Sequence, residues 1–467
     1  MPVEWTGSGP GLLLRLDRDS SEPLRRQLEG QVRAMVRDGR LAAGEKLPSS
    51  RVLARDLGVS RGLVTEAYAQ LCAEGYLVAR DGSATRVGAQ TVRPPATTAA
   101  PATRPPPRHD FRPGVPDLAA FPREDWARAV RRACRALPTG DLGYGDPAGS
   151  PVLRAVVAAY LGRVRGAAAD PAATVVCAGF AQGLLLTFRA LAAQGVRTVA
   201  VEHPGDTDQR HTARRAGLDV VPVRVDGDGL DTAALAATAA RAVVVTAAHQ
   251  TPTGGVLAAT RRRELVAWAG ARDATIVEDD YDAEFRYDRE PVGCLQGLAP
   301  DRVVLLGSVS KSLAPALRLG WVVAPPALAA AVAREKEHAD RGSPTLDELA
   351  LADLMRGGTY DRHLRHLRAR YAERRAVVVA ALRRHAPHLR LEGLAAGFHG
   401  LLALPDGVEE AAVVAAAGER SVALRGLGDF RNGDAPLPAA LVLGFGNVAT
   451  SSVDAGIATI ADLLRAP

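Results

Sequence analysis

The sequence predicts an α/β protein in two parts: a small helical head with a hairpin, and a large domain built on a mostly parallel sheet. Three observations predict it. Short capped helical patterns fill the first 88 residues, a proline-rich tract follows, and apolar strand-like runs then alternate with amphipathic segments.

The chain has 467 residues, 47% hydrophobic and 24% charged, enough for a large buried core and for two domains. The first twenty residues hold only the short apolar run Leu12, Leu13, Leu14, too short for a secretory h-region. Arg and Asp punctuate every Ala/Val/Leu run, so no membrane segment is expected and a cytoplasmic location is. Cys72, Cys134, Cys177 and Cys294 form no CxxC pair, so neither a metal site nor a disulfide framework is expected. Net charge is +6, yet residues 1–90 carry 13 Lys and Arg against 11 Asp and Glu. Any case for DNA must therefore rest on where the charges stand, not on their sum.

From Ala89 to Arg108 the chain reads AQTVRPPATTAAPATRPPPR, which can neither build a core nor hold a helix. It reads as a linker between domains at 1–88 and 109–467. At about 3.1 Å per extended residue, twenty residues reach about 60 Å.

In the head, Pro23 sits near a first helical position behind Ser20 or Ser21, and Leu24, Leu28, Val32 and Val36 recur at helical spacing until Gly39. Ser49 or Ser50 caps a second helix, which turns Val52, Leu53, Ala54 and Leu57 inward before Gly58. Ser60 caps a third, with Leu63, Val64, Ala67 and Leu71 inward until Gly75. Two helices joined by Leu57-Gly58-Val59-Ser60 make a helix-turn-helix. The third presents Ser60, Arg61, Gly62 and Thr65 at the end where a recognition helix meets base edges, with Arg61 the candidate base reader. Tyr76-Leu77-Val78 and Thr85-Arg86-Val87, turned by Asp81-Gly82-Ser83, form a hairpin wing whose Arg80 and Arg86 can meet phosphate oxygens.

These residues resemble the GntR family of DNA-binding regulators, in which LPSSRxLAxxLGVSRxxVxxAYxxLxxEGYL and a GSGT-like wing are characteristic. The pattern runs nearly unbroken from Leu47 to Leu77, with Ala84 where the wing usually has glycine. The resemblance implies a winged helix-turn-helix that binds operator DNA, with Ser49, Arg51, Ser60, Arg61, Gly62 and Thr65 as contact candidates.

Beyond the linker, strand-like runs are expected at Thr174–Cys177, Thr198–Val201, Val220–Val223, Ala242–Thr246, Thr275–Val277 and Val303–Leu306, and a long helix at Tyr360–His385. Four polar clusters follow strand ends. Gly307-Ser308-Val309-Ser310-Lys311, with Arg318 after it, offers a lysine of the kind Schiff-base chemistry needs and three phosphate ligands. Glu278-Asp279-Asp280-Tyr281 can hold a proton on a pyridine nitrogen and hydrogen-bond a ring hydroxyl, keeping the ring an electron sink. Ala178-Gly179-Phe180-Ala181-Gln182-Gly183 opens a helix whose free N–H groups can hold a phosphate, and His249-Gln250-Thr251-Pro252-Thr253-Gly254 ends another strand. Each alone is an ordinary solvated loop. In this order they converge on one edge of a parallel sheet, where such sheets bind ligands.

From about Phe111 onward the chain resembles fold-type I aminotransferases, and more closely the MocR subgroup of GntR regulators, whose HQxPTG, EDDYDxEFRY, SKxLxPxLRLG and RHLRxxRxxYxxRR patterns stand here at 249–254, 278–287, 310–320 and 362–375. The resemblance implies pyridoxal 5'-phosphate (PLP) as cofactor, Lys311 as its covalent anchor, Asp279 on the ring nitrogen and Tyr281 on the ring oxygen. It further implies Ala181, Gln182, Ser308, Ser310 and Arg318 on the phosphate, with Tyr144 reaching the partner's phosphate in a homodimer. Three positions depart from the subgroup: Asp206 replaces a ring-stacking aromatic, Thr251 stands where enzymes have Asn and the usual regulators an aromatic, and Val442 replaces a carboxylate-binding Arg, for which Arg425 or Arg431 are the available substitutes. The expected function is a transcription regulator that senses PLP, an amino compound, or both. The alternatives are a working aminotransferase with an accessory DNA-binding domain, and a cofactor-free domain kept for dimerisation.

Overall fold

A computed structural model describes residues 14–79, 84–88, 106–287, 292–394 and 396–465. It divides the chain into two compact units, Met1–Pro105 and Pro106–Pro467. The proline tract at 89–105 and the wing turn at 80–83, with Arg80, lie outside the described residues.

In the first unit α1 spans Leu24–Arg37, α2 Ser50–Leu57 and α3 Arg61–Ala73. Pro23 precedes α1 with no side-chain cap, and the Ser20 hydroxyl accepts from Glu22 N at 3.2 Å. Ser49 Oγ accepts from Val52 N at 3.3 Å and Ser60 Oγ from Leu63 N at 3.2 Å, so both later helices start where a hydroxyl satisfies an otherwise orphaned donor. Gly58 ends α2 at φ +62°, in the left-handed region that a side chain disfavours. Strands β1 (Leu77–Val78) and β2 (Arg86–Val87) pair antiparallel as the wing stem. Leu28, Val32, Leu53, Val64, Ala67, Leu71, Leu77 and Val87 are buried together, each large side chain contributing roughly 1.5–3 kcal/mol. Tyr68 joins them, its hydroxyl donating to Pro48 O at 3.1 Å. Leu63, Val52 and Leu57, expected inward, are only half-buried.

In the second unit β3 (His109–Asp110) pairs with a late short strand. The central sheet uses β4 (Thr174–Cys177), β5 (Thr198–His203), β6 (Asp219–Asp226), β7 (Gly229–Leu230), β8 (Ala242–Val245), β9 (Thr275–Asp280), β10 (Val303–Ser308) and β11 (Gly320–Val323). Its order is β4-β11-β10-β9-β8-β5-β6-β7. The ladders joining β10, β9, β8, β5 and β6 are parallel, while β11 runs antiparallel between β10 and β4. The sequence reading stopped β5, β9 and β10 at their last apolar residue, but ladder pairing carries each strand into the polar residues beyond. It did not find β11, which follows β10 without an intervening α-helix.

Four more strands, β12 (Leu391–Glu392), β13 (His399–Ala403), β15 (Arg425–Gly426) and β16 (Ala440–Gly444), make a smaller antiparallel sheet, while β14 (Val422–Ala423) is the partner of β3. The helix Thr359–His385 packs on the helix Thr450–Ile460, and its Tyr371, Val378 and Leu382 share one buried core with Leu402, Leu441 and Leu443 of this sheet. Among the described residues no helix is long and apolar enough to cross a membrane.

Candidate functional site

The clusters at the ends of β4, β8, β9 and β10 open on one cavity of about 420 Å³, because parallel strands deliver all their C-terminal ends to the same sheet edge. Ala181, Asp279, Tyr281, Ser308, Ser310, Lys311 and Arg318 all line it, as do Asp206, Thr251 and Val442. Gln182 does not. Its side chain accepts from Ala178 N at 2.7 Å and donates to Asp340 at 2.6 Å, leaving only its backbone N–H near the helix start. Tyr144 lies outside the cavity lining and is 91% exposed.

Lys311 Nζ donates to Gly114 O, and burial lowers its amine pKa against the opposing pull of Asp279, Asp282 and Asp206. A lowered amine pKa leaves more of the nucleophilic free base. Asp279 Oδ2 accepts from Gln209 at 3.3 Å, but Oδ1 is buried with no partner among the described residues. Burial, then Asp206 and Asp280, push this carboxyl well above the usual range, so its ionisation calls for a cation beside Oδ1. Below it Arg165 holds Asp280 through two bonds of 2.8 and 3.0 Å, both side chains almost fully buried.

Helix Phe180–Ala193 starts after Gly179 with no side-chain cap, so its first N–H groups face the cavity edge free. Gly179 takes φ +78°, and a Cβ there would lie 2.9 Å from Arg318. That close approach seats the Arg318 guanidinium beside the helix end, where it also donates to Pro315 O at 3.3 Å.

The cavity answers one open question. Arg425 lines it and Arg431 does not. Arg425 sits on β15 directly opposite Val442 of β16, its guanidinium 4.9 Å from the Phe430 ring centre and 3.1 Å from Asp429. Asp206, at the ring-stacking position, caps the next helix by accepting from Asp208 N at 3.0 Å. Sequence reasoning missed Gln209, His399 and Gly114. Gln209 and Gly114 lie in no motif, and His399 arrives from the smaller sheet.

On the head, Ser49, Arg51, Ser60, Arg61, Gly62, Thr65 and Arg86 are all exposed. Thr65 Oγ1 donates to Arg61 O, and Arg86 donates to Gly44 O at 2.9 Å. A Cβ at Gly62 would meet only Ser60 Oγ, at 3.9 Å, so packing within the chain does not require glycine there.

A winged recognition head and an aminotransferase-like pocket on one chain define a DNA-binding transcription regulator with an aminotransferase-type domain. Residues 24–87 match the bacterial regulatory proteins of the gntR family, and residues 114–412 match aminotransferase class I and II. The chain is 37% identical over 396 residues to the probable rhizopine catabolism regulatory protein MocR of Rhizobium meliloti, with 80% of each chain covered. It is 37% identical over 380 residues to the pyridoxine biosynthesis transcriptional regulator PdxR of Corynebacterium glutamicum, covering 80% of this chain and 82% of that one. LysN, the α-aminoadipate aminotransferase of Thermus thermophilus, superposes with a TM-score of 0.68 at 25% identity over 76% of this chain and 91% of its own. The chain thus belongs to the GntR-family regulators of the MocR subgroup, which join a helix-turn-helix domain to a fold-type I aminotransferase domain. The aminotransferase family is one of PLP-binding domains.

Proposed function

We propose that the protein binds PLP covalently through Lys311 and uses the state of that site to set its affinity for operator DNA. The observation that carries this reading is Asp279 Oδ1: a buried carboxylate oxygen with no partner among the described residues, in the same cavity as a desolvated lysine and a helix N-terminus that lacks a side-chain cap. Asp279 would pair with the ring nitrogen and Tyr281 with the ring oxygen. Ser308, Ser310, Arg318 and the N–H groups of Ala181 and Gln182 would hold the phosphate. When bound, the cofactor supplies an aldehyde for amines and an electron-withdrawing ring. Adding PLP to the purified protein should produce a visible absorbance band, which borohydride should abolish while leaving the cofactor permanently attached, and Lys311→Ala should lose both the band and the attachment. A mutant spectrum identical to wild type would overturn the assignment.

The effector is an amino compound bearing a carboxylate, since Arg425 is the cavity's remaining guanidinium once Arg318 serves the phosphate. Arg61 reads a base, Arg86 and Arg80 hold backbone phosphates, and Ser49, Arg51, Ser60, Gly62 and Thr65 complete the contact face. The domains are 1–88 and 109–467 with a linker between, and the second forms a homodimer into which the exposed Leu142 and Tyr144 project. Such a regulator works where its DNA is, in the cytoplasm.

A further inference from the structure

Behind Tyr281, outside the cavity lining, lies a buried pair that the proposed cofactor contacts do not use. His249 Nδ1 lies 2.8 Å from Asp282 Oδ2 and 3.1 Å from Tyr281 Oη, and the His249 and Asp282 side chains are 2% and 1% exposed. A carboxylate offers no hydrogen, so the shorter contact places one on His249 Nδ1. A ring nitrogen that carries hydrogen cannot also accept one. Tyr281 Oη is therefore an acceptor toward His249, and its own hydrogen points elsewhere. Thr251 also stands beside the phenol, and its hydroxyl can give or take a hydrogen. Turned away from His249, the Tyr281 hydrogen is free to point into the cavity that Tyr281 lines with Lys311 and Thr251.

We infer that Asp282 and His249 are positioning residues: Asp282 fixes the Nδ1–H tautomer of His249, and that tautomer aims the Tyr281 hydroxyl hydrogen at the cofactor's ring oxygen. Among the described residues His249 Nε2 and Asp282 Oδ1 have no partner, so the bonds that orient the His249 ring are those at Nδ1. Donor atoms of His249, Asp282 and His399 lie within 4.8 Å of one another, a spacing that suits a metal ion. Here, however, Asp282 already occupies His249 Nδ1. A Cβ on Gly397 would lie 2.5 Å from both Asp282 Oδ2 and His249 Cε1, so the corner is packed by the groups themselves. The other ionisable groups facing it are Asp279, Asp206, Glu202, His399 and Lys311.

This inference rests on PLP occupying the cavity, but its first test does not. In the full-length, cofactor-free protein labelled with ¹⁵N-histidine, the His249 signal, assigned by its loss in His249→Phe, should report the Nδ1–H tautomer and switch to Nε2–H in Asp282→Ala. An Nε2–H tautomer in the wild type overturns the proposal. The second test follows the pH midpoint of the visible band in PLP-loaded protein. Tyr281→Phe removes a donor that stabilises the deprotonated form and should raise the midpoint by about one pH unit, tenfold in equilibrium. Asp282→Ala should shift it the same way, because freed Nδ1 then accepts the Tyr281 hydrogen. Asp282→Ala/His249→Phe, with no acceptor left, should return toward wild type. A midpoint that moves in Tyr281→Phe but not in Asp282→Ala overturns the proposal. Wild-type protein that shows no band with PLP sinks the cofactor reading instead, and the tautomer measurement then decides alone.

Discussion

Glu202 shows how burial sets the chemistry of a single residue. It is 3% exposed beside the cavity, and burial raises its pKa to about 7 against the bonds from Thr246 and Gln250 that favour its charge. A carboxyl whose folded pKa is raised binds more protons folded than unfolded, so stability falls as pH rises from about 4.5 and levels off above about 7. Glu202→Gln keeps the acceptor for Thr246 and removes the titration. It should flatten this slope, making the variant more stable than wild type at pH 8 by on the order of 1 to 3 kcal/mol while differing little at pH 5. Denaturant unfolding at the two pH values measures it, and parallel pH profiles for the two proteins would count against a titrating Glu202. Arg425 makes the second residue-scale case. Arg425→Gln should cost about tenfold or more in affinity for amino compounds that carry a carboxylate, leave affinity for the matching simple amines unchanged, and leave the visible band in place. Equal losses for both ligand classes would show that Arg425 supports the fold of the pocket and not recognition.

At the scale of elements, α3 and the wing divide the work on DNA. Arg61 stands exposed at the first position of α3, whereas Arg86 is on β2 and tied to Gly44 O. Base edges carry sequence information and phosphates do not. Arg61→Ala should therefore cost about 1 to 3 kcal/mol at one operator position and relax preference there, while Arg86→Ala should weaken all sequences alike and flatten the salt dependence. Binding measured against a panel of single-base operator variants at two salt concentrations separates the two. Sequence-blind losses in both variants would refute the division. These elements were the most legible in the chain, since a Ser at each cap and Gly58 at the turn are local rules that need no tertiary partner. Where the reading failed it met tertiary effects: Tyr68 is core because its hydroxyl finds Pro48 O, and β11 is a strand because β10 and β4 both pair with it.

At the scale of the whole molecule, the proposal is one of coupling between the reading head and the cofactor domain. A ligand shifts operator affinity only if it binds one state of the protein better than another, and operator DNA must then change ligand affinity by the same factor. Titration of the intact protein with PLP or effector, with and without operator, should give affinities differing by that common factor, while residues 1–88 alone bind DNA weakly and respond to neither. Identical ligand affinities in both titrations would mean that the domains act independently.

The sequence by itself determined the helix-turn-helix, the proline tract and the four clusters that end the parallel strands, because caps, turn residues and apolar periodicity act over a few residues and are written locally. Only the tertiary structure decided which clustered side chains face one another. It turned Gln182 away to Asp340, placed Arg425 and not Arg431 in the cavity lining, and brought His399 from a separate sheet against His249, with ring centres 4.8 Å apart. The physical reason is the same each time: a side chain's direction and burial depend on ladder register and on neighbours distant in sequence, which no local pattern records.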